Sequence, residues 1–427
     1  MIRKLTIAAA ALLALGAALA ALVWLLNVRG DAPSNTTPGT TSSTAPATIE
    51  RGAYLARAGN CMACHTVRGG TPFAGGRGID TPFGTVYTSN LTPDPVHGIG
   101  SWSAADFWRA MHNGRSKDGR LLYPAFPYPN YTQVTREDSD ALHAYLRSLP
   151  PAAQPNRAHA LRWPYGTQPA LAVWRALYFS PGVHEAEPAK SAEWNRGAYL
   201  VQGLGHCSAC HTPRNTLGAT DDTLLLGGGL IPMQNWYAPS LTSPAEAGVA
   251  GWSKADIVSL LKTGTSARGA VTGPMAEVVL HSTQHLSDAD LGAMAVFLQA
   301  LPQSPMPAQR AEGKAALPAS PGGRLYSQHC AQCHGDNGMG VPGAYPPLAG
   351  NRAVTMKSTA NLVQIVLNGG YAPATAGNPR PHGMPPFVLV LGDGEVAQVL
   401  SYMRNAWGNS AGEVSEFDVA RVRGTRR

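Results

Sequence analysis

Six cysteines in 427 residues are few, and none is spare. They form three Cys-x-x-Cys pairs, Cys61 with Cys64, Cys207 with Cys210, and Cys330 with Cys333, so no thiol remains for a disulfide framework or an iron–sulfur cluster. Charge is scarce as well, at 14% of residues. Of the formal +7, six charges belong to Arg3, Lys4, Arg421, Arg423, Arg426 and Arg427 near the two ends, leaving +1 between them. A body that close to neutral lacks the basic footprint a phosphate backbone demands, which excludes nucleic acid as a partner. No Gly-rich strand-to-helix fingerprint of a dinucleotide site is present. What abounds is glycine (47) and proline (35), which means many loops without the strict period of collagen. The length allows two to four domains, each with its own core.

Each cysteine pair is followed at once by a histidine: His65, His211 and His334. Cys-x-x-Cys-His is the attachment signature of c-type haem. Two thiols add to the haem vinyl groups, and the adjacent imidazole is held at the iron as proximal ligand. A structural zinc site would need four ligands from paired knuckles, and three isolated units pair awkwardly. A thioredoxin-like redox motif needs neither the trailing histidine nor triplication. The sequence therefore predicts three covalently bound haem c groups on Cys61, Cys64, Cys207, Cys210, Cys330 and Cys333, with His65, His211 and His334 on the irons.

Arg3 and Lys4 precede an uncharged run from Leu5 to Val28. As a helix it is about 36 Å long, enough to span a bilayer with tilt. Ala18-Leu19-Ala20 is the place where a signal peptidase would cut. However, the apolar run continues beyond it through Trp24, which favours a retained anchor over residues 1–29. The basic start would stay inside, placing the rest on the periplasmic side of an inner membrane. Residues 30–48 have the Ser/Thr/Pro composition of a tether.

The remainder repeats itself. Arg51-Gly-Ala-Tyr-Leu55 precedes the first motif and Arg196-Gly-Ala-Tyr-Leu200 the second, while Ser101-Trp-Ser-Ala-Ala-Asp106 echoes Gly251-Trp-Ser-Lys-Ala-Asp256. Helix starts of the S/T-x-x-D type recur at Ser103, Thr135, Ser253 and Ser287. Apolar stripes at helical spacing follow: Leu142, Tyr145, Leu146 and Leu149; Leu291, Met294, Leu298 and Leu301; and Val396, Val399, Leu400, Met403 and Trp407. The first two stop at Pro150 and Pro302. The expected organisation is all-α, with haem domains at 49–150, 191–302 and 322–410. A linker with a short helix falls at 151–190, a second linker at 303–321, and a basic tail at 411–427. The aromatic-rich part of the first linker reads as a helix packed on a neighbouring module, or else as a patch for a partner or a membrane.

The iron's sixth position sets its potential, and a thioether opposite His raises it. Met384, in Gly383-Met-Pro-Pro386, lies 50 residues after His334, and Met275, in Gly273-Pro-Met275, lies 64 after His211. Both are assigned as axial ligands. In the first module the corresponding segment, Tyr123-Pro-Ala-Phe-Pro-Tyr128, has no methionine, and Phe126 cannot bind iron. His112 is chosen there over its neighbour Met111 and over His97; failing these, that haem is five-coordinate.

These motifs resemble the triple-haem cytochrome c subunit of bacterial membrane-bound alcohol and aldehyde dehydrogenases. The resemblance covers roughly residues 50 to 420. It rests on the RGAYL segments before CxxCHT, on Gly203-Leu-Gly-His-Cys-Ser-Ala-Cys-His-Thr212, and on Gly273-Pro-Met-Ala-Glu-Val-Val279. Ser282-Thr-Gln-His-Leu286, Pro373-Ala-Thr-Ala-Gly-Asn-Pro-Arg-Pro381 and Gly383-Met-Pro-Pro386 add to it. It implies three cytochrome c-like α domains that take electrons from a catalytic dehydrogenase subunit and pass them to ubiquinone or a terminal oxidase. Quinoprotein-associated members usually carry Met where Phe126 stands, so Phe126 implies relatives that serve molybdopterin hydroxylases. The chain itself then catalyses no two-electron step. The rival reading is a haem enzyme that uses an open first haem for peroxide or small-ligand chemistry; a haem-based sensor ranks last, for want of an output domain.

Overall fold

The computed structural model describes residues 2–28, 45–305 and 317–424. Most of the expected tether at 30–48 and the middle of the linker at 303–321 therefore lie outside the described residues. The first helix, α1 (Ile2–Val28), is long and apolar enough to cross a membrane. Its Ala/Leu run is rich in good helix formers, and no proline interrupts it.

The first module follows: α2 (Pro46–Ala58), α3 (Cys61–Cys64), the antiparallel hairpin β1 (Gly78–Thr81) and β2 (Gly84–Tyr87), α4 (Ala104–Asn113), α5 (Tyr128–Tyr131) and α6 (Arg136–Ser148). A strand of two residues, β3 (Ala160–Leu161), adds to β2 ahead of α7 (Gln168–Tyr178). The second module comprises α8 (Ala192–Ala198), α9 (Ser208–His211), β4 (Gly229–Ile231) with β5 (Trp236–Ala238), and α10 (Lys254–Thr263). The short ribbon β6 (Thr265–Ser266) with β7 (Gly269–Ala270), α11 (Pro274–His281) and α12 (Asp288–Gln299) complete it. The third has α13 (Pro321–His329), α14 (Ala331–His334), α15 (Arg352–Thr355) and α16 (Ala360–Asn368). It continues with β8 (Gly370–Tyr371) paired to β9 (Gly383–Met384), α17 (Asp393–Asn405) and α18 (Glu416–Gly424). The fold is mostly helical, and the ribbons refine the all-α expectation.

All four expected caps form. The hydroxyls of Ser103, Thr135, Ser253 and Ser287 accept the backbone N–H three residues on, opening α4, α6, α10 and α12. One crossing occurs three times. A Cβ at Gly52, Gly197 or Gly322 would drive into the carbonyl of Ala141, Ala293 or Gln398, with the Cβ of Tyr145, Phe297 or Tyr402 beside it. Each module thus packs its first helix so closely on a later one, α6, α12 or α17, that only glycine fits the contact.

The modules differ in how they are joined. Leu55, Leu142, Leu146, Leu200, Leu204, Leu291 and Phe297 belong to one core, so the first two modules share an interior. Tyr326, Val363, Leu367, Val396 and Leu400 form a second core inside the third module. At the shared boundary the RGAYL repeats exchange partners. Arg51 pairs with Asp138 of its own module, while Tyr199 of the next module donates to the same carboxylate at 2.6 Å. Arg196 pairs with its own Asp290, and Tyr54 donates across to it at 2.6 Å. The two modules therefore meet as a pseudo-two-fold pair through equivalent residues.

Ten positions separate Arg51 from Cys61, but eleven separate Arg196 from Cys207. The extra residue is absorbed by a π-helical turn, Tyr199–Leu204, which continues α8.

One expected boundary is corrected. Residues 151–190 carry a short helix, α7, and the segment before it is tied down: Asn90 Nδ2 donates to the carbonyls of Ala152 and Gln154, and Asn156 Oδ1 accepts the Asn90 N–H, lacing it to the first module. Residues 411–424 are not a tail. Val419 and Val422 of α18 are buried in the third module's core, and Arg423 pairs with Asp393 at 2.5 Å. The clustered arginines hid a packed helix.

Candidate haem sites

The three CxxCH motifs sit on short helices or turns at the start of their modules. In each, the histidine Nδ1 faces a backbone carbonyl: His65 to Ser89 O at 2.7 Å, His211 to Pro239 O at 2.7 Å and His334 to Pro346 O at 3.1 Å. A carbonyl only accepts, so Nδ1 carries the proton and Nε2 keeps its lone pair. This is the tautomer a metal-ligating imidazole requires. Burial lowers the pKa of all three rings, which keeps them neutral, as ligation also requires.

The thiols show the complementary pattern. Burial pushes Cys61 and Cys207 up to about 12 and Cys330 to about 11. No disulfide joins any of the six cysteines. Among the described residues no group of three His, Cys, Asp or Glu side chains converges as a metal cluster. Cys61, Cys207 and Cys330 are half-buried, and their raised pKa disfavours a thiolate site. Arg77 Nη1 donates to Ala63 O at 2.5 Å and Arg214 Nη2 to Ala209 O at 2.7 Å, so an arginine steadies each of the first two CxxCH turns at the same carbonyl.

A cavity of about 1400 Å³ opens on Cys61, Cys64 and His65. That exceeds the several hundred Å³ of an ordinary small-ligand pocket. Its walls include Phe107, Met111, Phe126, Tyr131, Leu142 and Leu146, together with His206 and Cys210 from the second module. A large flat apolar group bearing two thioether links fits this chamber, and the second CxxCH motif borders it. Asn130 Nδ2 spans the boundary, donating to Ser208 Oγ at 2.7 Å and to Gln202 O at 2.9 Å.

The expected sixth ligands fare differently. Met384 on β9 and Cys330 are half-buried against the same third-module core. Met275, at the start of α11, lies with Cys61, Cys207 and Phe126 against the shared core. His112 is placed differently from these two. Its ring stacks on Trp108 with centroids 4.5 Å apart, and its Nδ1 donates to Thr132 O at 2.8 Å. It does not line the cavity that holds His65, whereas its neighbour Met111, together with His97 and Phe126, does. One step along a helix turns a side chain by about 100°, so Met111 and His112 face different ways.

Sequence reasoning did not find the carbonyls of Ser89, Pro239 and Pro346, since a backbone acceptor leaves no residue-type signal. It also missed Tyr54 and Tyr199, although their repetition beside Arg51 and Arg196 was visible.

The thrice-repeated helix crossing, the CxxCH turns and the carbonyl-held histidines define a cytochrome c. The cytochrome c family model matches residues 49–150 and 319–407. The chain is 40% identical over 398 residues to the cytochrome c subunit of the quinone alcohol dehydrogenase of Gluconobacter oxydans, covering 89% of this chain and 83% of that one. It is 39% identical over 399 residues to the gluconate 2-dehydrogenase cytochrome c subunit of Pantoea cypripedii, covering 88% and 90%. It is 41% identical over 400 residues to a nicotinate dehydrogenase subunit of Pseudomonas putida, covering 91% of this chain and 33% of that longer one. The chain belongs to this family of dehydrogenase cytochrome c subunits, which transfer electrons.

Proposed function

We propose that the chain is a three-haem electron relay held at the periplasmic face of the inner membrane by α1. It takes electrons from a partner dehydrogenase and passes them to ubiquinone or a terminal oxidase. The observation that carries this reading is the threefold CxxCH turn with its histidine Nδ1 tied to a carbonyl. Haem supplies one-electron redox chemistry; the protein supplies attachment, axial ligands and burial. Cys61, Cys64, Cys207, Cys210, Cys330 and Cys333 would hold the groups, and His65, His211 and His334 would bind the irons. Met275 and Met384 would complete the second and third. The haem domains are assigned to residues 49–150, 191–302 and the third module, extended to include α18. Met275→Ala and Met384→Ala should each lower one potential in a redox titration while all haem stays covalently bound; unchanged potentials would overturn those assignments.

The end of α1 is seated in a socket on α7. Asn27, at its end, is buried; its Nδ2 donates to Ala172 O at 2.8 Å, and its Oδ1 accepts from Arg175 Nε at 3.0 Å. Arg115 Nη2 donates to Asn27 O at 3.0 Å. A cut after Ala20 would leave this seat in the mature chain, so retention of α1 rests on the apolar run that continues past Ala20.

The favoured partner is a molybdopterin hydroxylase rather than a quinoprotein, on the strength of Phe126 and the family pattern at that position. Purifying the native complex tests it. A molybdopterin subunit that reduces the haems on adding its substrate supports the assignment, and a quinoprotein subunit overturns it. A second reading is favoured by the same residue. With Phe126 on the cavity wall beside His65, the first haem has an open side for peroxide or small ligands. That reading requires a high-spin ferric fraction and rapid carbon monoxide binding after reduction; a wholly low-spin protein eliminates it.

A further inference from the structure

The first module lacks a methionine where the other two have one, and a helix shows the exchange. α4, α10 and α16 occupy the same place in their modules, and each ends on a glycine with positive φ: Gly114, Gly264 and Gly369. Three residues before that glycine stand Met111, Leu261 and Val366, all buried, at 5%, 8% and 5% exposure. The modules that carry Met275 and Met384 thus have a branched hydrocarbon at this position. The module with Phe126 in its loop has a methionine there instead.

The exchanged position lies beside the loop in question. In the third module β9 pairs Met384 with Gly370, next to the glycine that ends α16, and the Phe387 N–H donates to Val366 O at 3.0 Å. In the second, the Val271 N–H donates to Gly264 O at 2.9 Å, and Met275 packs against the core that contains Leu261. In the first, a Cβ at Gly114 would meet the ring of Tyr128, two residues after Phe126. In each module, then, the loop closes on the end of the helix that bears the exchanged residue.

Met111 and Phe126 both wall the chamber that opens on His65, and among the described residues lining it Met111 carries the only thioether. Its unbranched chain has three rotatable bonds and adapts to an irregular apolar space. The competing donors are histidines. The Tyr87 N–H donates to His159 Nδ1 at 3.1 Å, which puts that ring's proton on Nε2 and leaves no free lone pair. His206 sits on the second module's own attachment turn, its ring edge-on to Tyr131. His97 lies in an outer loop beside Val96, which is 78% exposed. We propose that the Met111 sulfur is the sixth ligand of the first haem's iron, supplied from a helix rather than a loop. The proposal rests on the three-haem reading, and it closes the side that Phe126 would leave open. A neutral thioether binds without losing a proton and raises the potential, the role assigned to Met275 and Met384.

The test uses the full-length chain with its haems attached, in detergent. Attached haem is counted first; ferric spin state, the near-red absorption of methionine-ligated ferric haem, carbon monoxide binding and potentials are then read. The unaltered chain should be wholly low-spin. Met111→Leu installs the second module's residue, a swap of similar volume that cores tolerate. It should turn one haem high-spin, remove that haem's share of the near-red absorption, open it to carbon monoxide and lower its potential. Adding Phe126→Met to Met111→Leu recreates the second module's pattern and should restore low spin, a rescue that a purely structural role for Met111 does not give. A high-spin haem in the unaltered chain overturns the inference, and so does a Met111→Leu protein with unchanged spin state and potentials. Loss of low spin in His97→Ala without loss in Met111→Leu would also overturn it and assign the ligand to His97. Fewer than three attached haems would instead overturn the relay reading on which the inference rests.

Discussion

The first two modules and the third solve the same packing problem with different neighbours. All three cross a glycine of the first helix against a carbonyl of α6, α12 or α17. Only the first two merge their interiors and exchange tyrosines across the join, while the third closes on itself with α18 as an extra wall. Repetition of a module therefore does not imply repetition of its context. The RGAYL segment occurs in the two modules that contact each other through it. The third begins α13 with Pro-Gly-Gly-Arg and has no such tyrosine.

The sharpest way to break this contrast is at the crossings. Gly197→Val should destabilise the first two modules together, and Gly322→Val the third alone, each by about 3 kcal/mol, the upper range for overpacking. Hydrogen exchange resolved by module checks this; a loss spread evenly over all three in either variant would contradict the separate cores.

Acid should separate the regions next. Burial, reinforced by the nearby charge of Arg147, holds His143 down at about 4 against an ordinary 6.5. Its folded pKa is depressed, so neutral His143 contributes stability above pH 6.5 that fades as the pH falls towards 4. The full loss is on the order of 3 kcal/mol. α17, which takes the place of α6 in the third module's helix crossing, contains no histidine; His334 is also held down by burial, so the third module should lose less exchange protection through that window than the fused pair. His143→Gln should flatten the dependence of the fused pair. A slope of equal size in both regions would contradict the assignment.

The exchanged tyrosines give a smaller effect. Tyr199→Phe removes a buried hydroxyl donor to Asp138 and should cost the fused pair about 1.5–3 kcal/mol, as for hydrogen bonds to charged groups. Tyr54→Phe should cost less, since Tyr54 is only half-buried. Burial alone would raise the Asp290 pKa, but hydrogen bonds from Arg196 and Tyr54 outweigh it and hold the carboxyl below its usual 3.8. Its contribution is therefore present above that pH and is lost as acid protonates it. Denaturant melts followed at the fused pair should show both losses, and the third module should be unmoved.

What was legible in the sequence was local. The CxxCH turns, the four hydroxyl caps and the three apolar stripes each fit within a dozen residues; the caps formed where the pattern put them, and the stripes did so except for Leu149, Leu301 and Trp407, which fall past the ends of α6, α12 and α17. What escaped was set by tertiary context. Tyr54 and Asp290 lie 236 positions apart, so their hydrogen bond leaves no mark on any window. Residues 411–427 read as a basic tail because Arg421, Arg423, Arg426 and Arg427 cluster there and mask Val414, Val419 and Val422, which are buried. The strand after Pro150 read as a linker because its anchoring runs through asparagine side chains rather than apolar residues. His112 was credited for its chemistry, but its place on α4 turns it to Trp108 and Thr132 instead of the cavity.

Intact mass of the mature, membrane-extracted protein is the most direct test of the relay. The account predicts the polypeptide with α1 retained plus three haem groups, none of them removable by acidified organic solvent. Two additions or fewer, or haem lost on extraction, would contradict it.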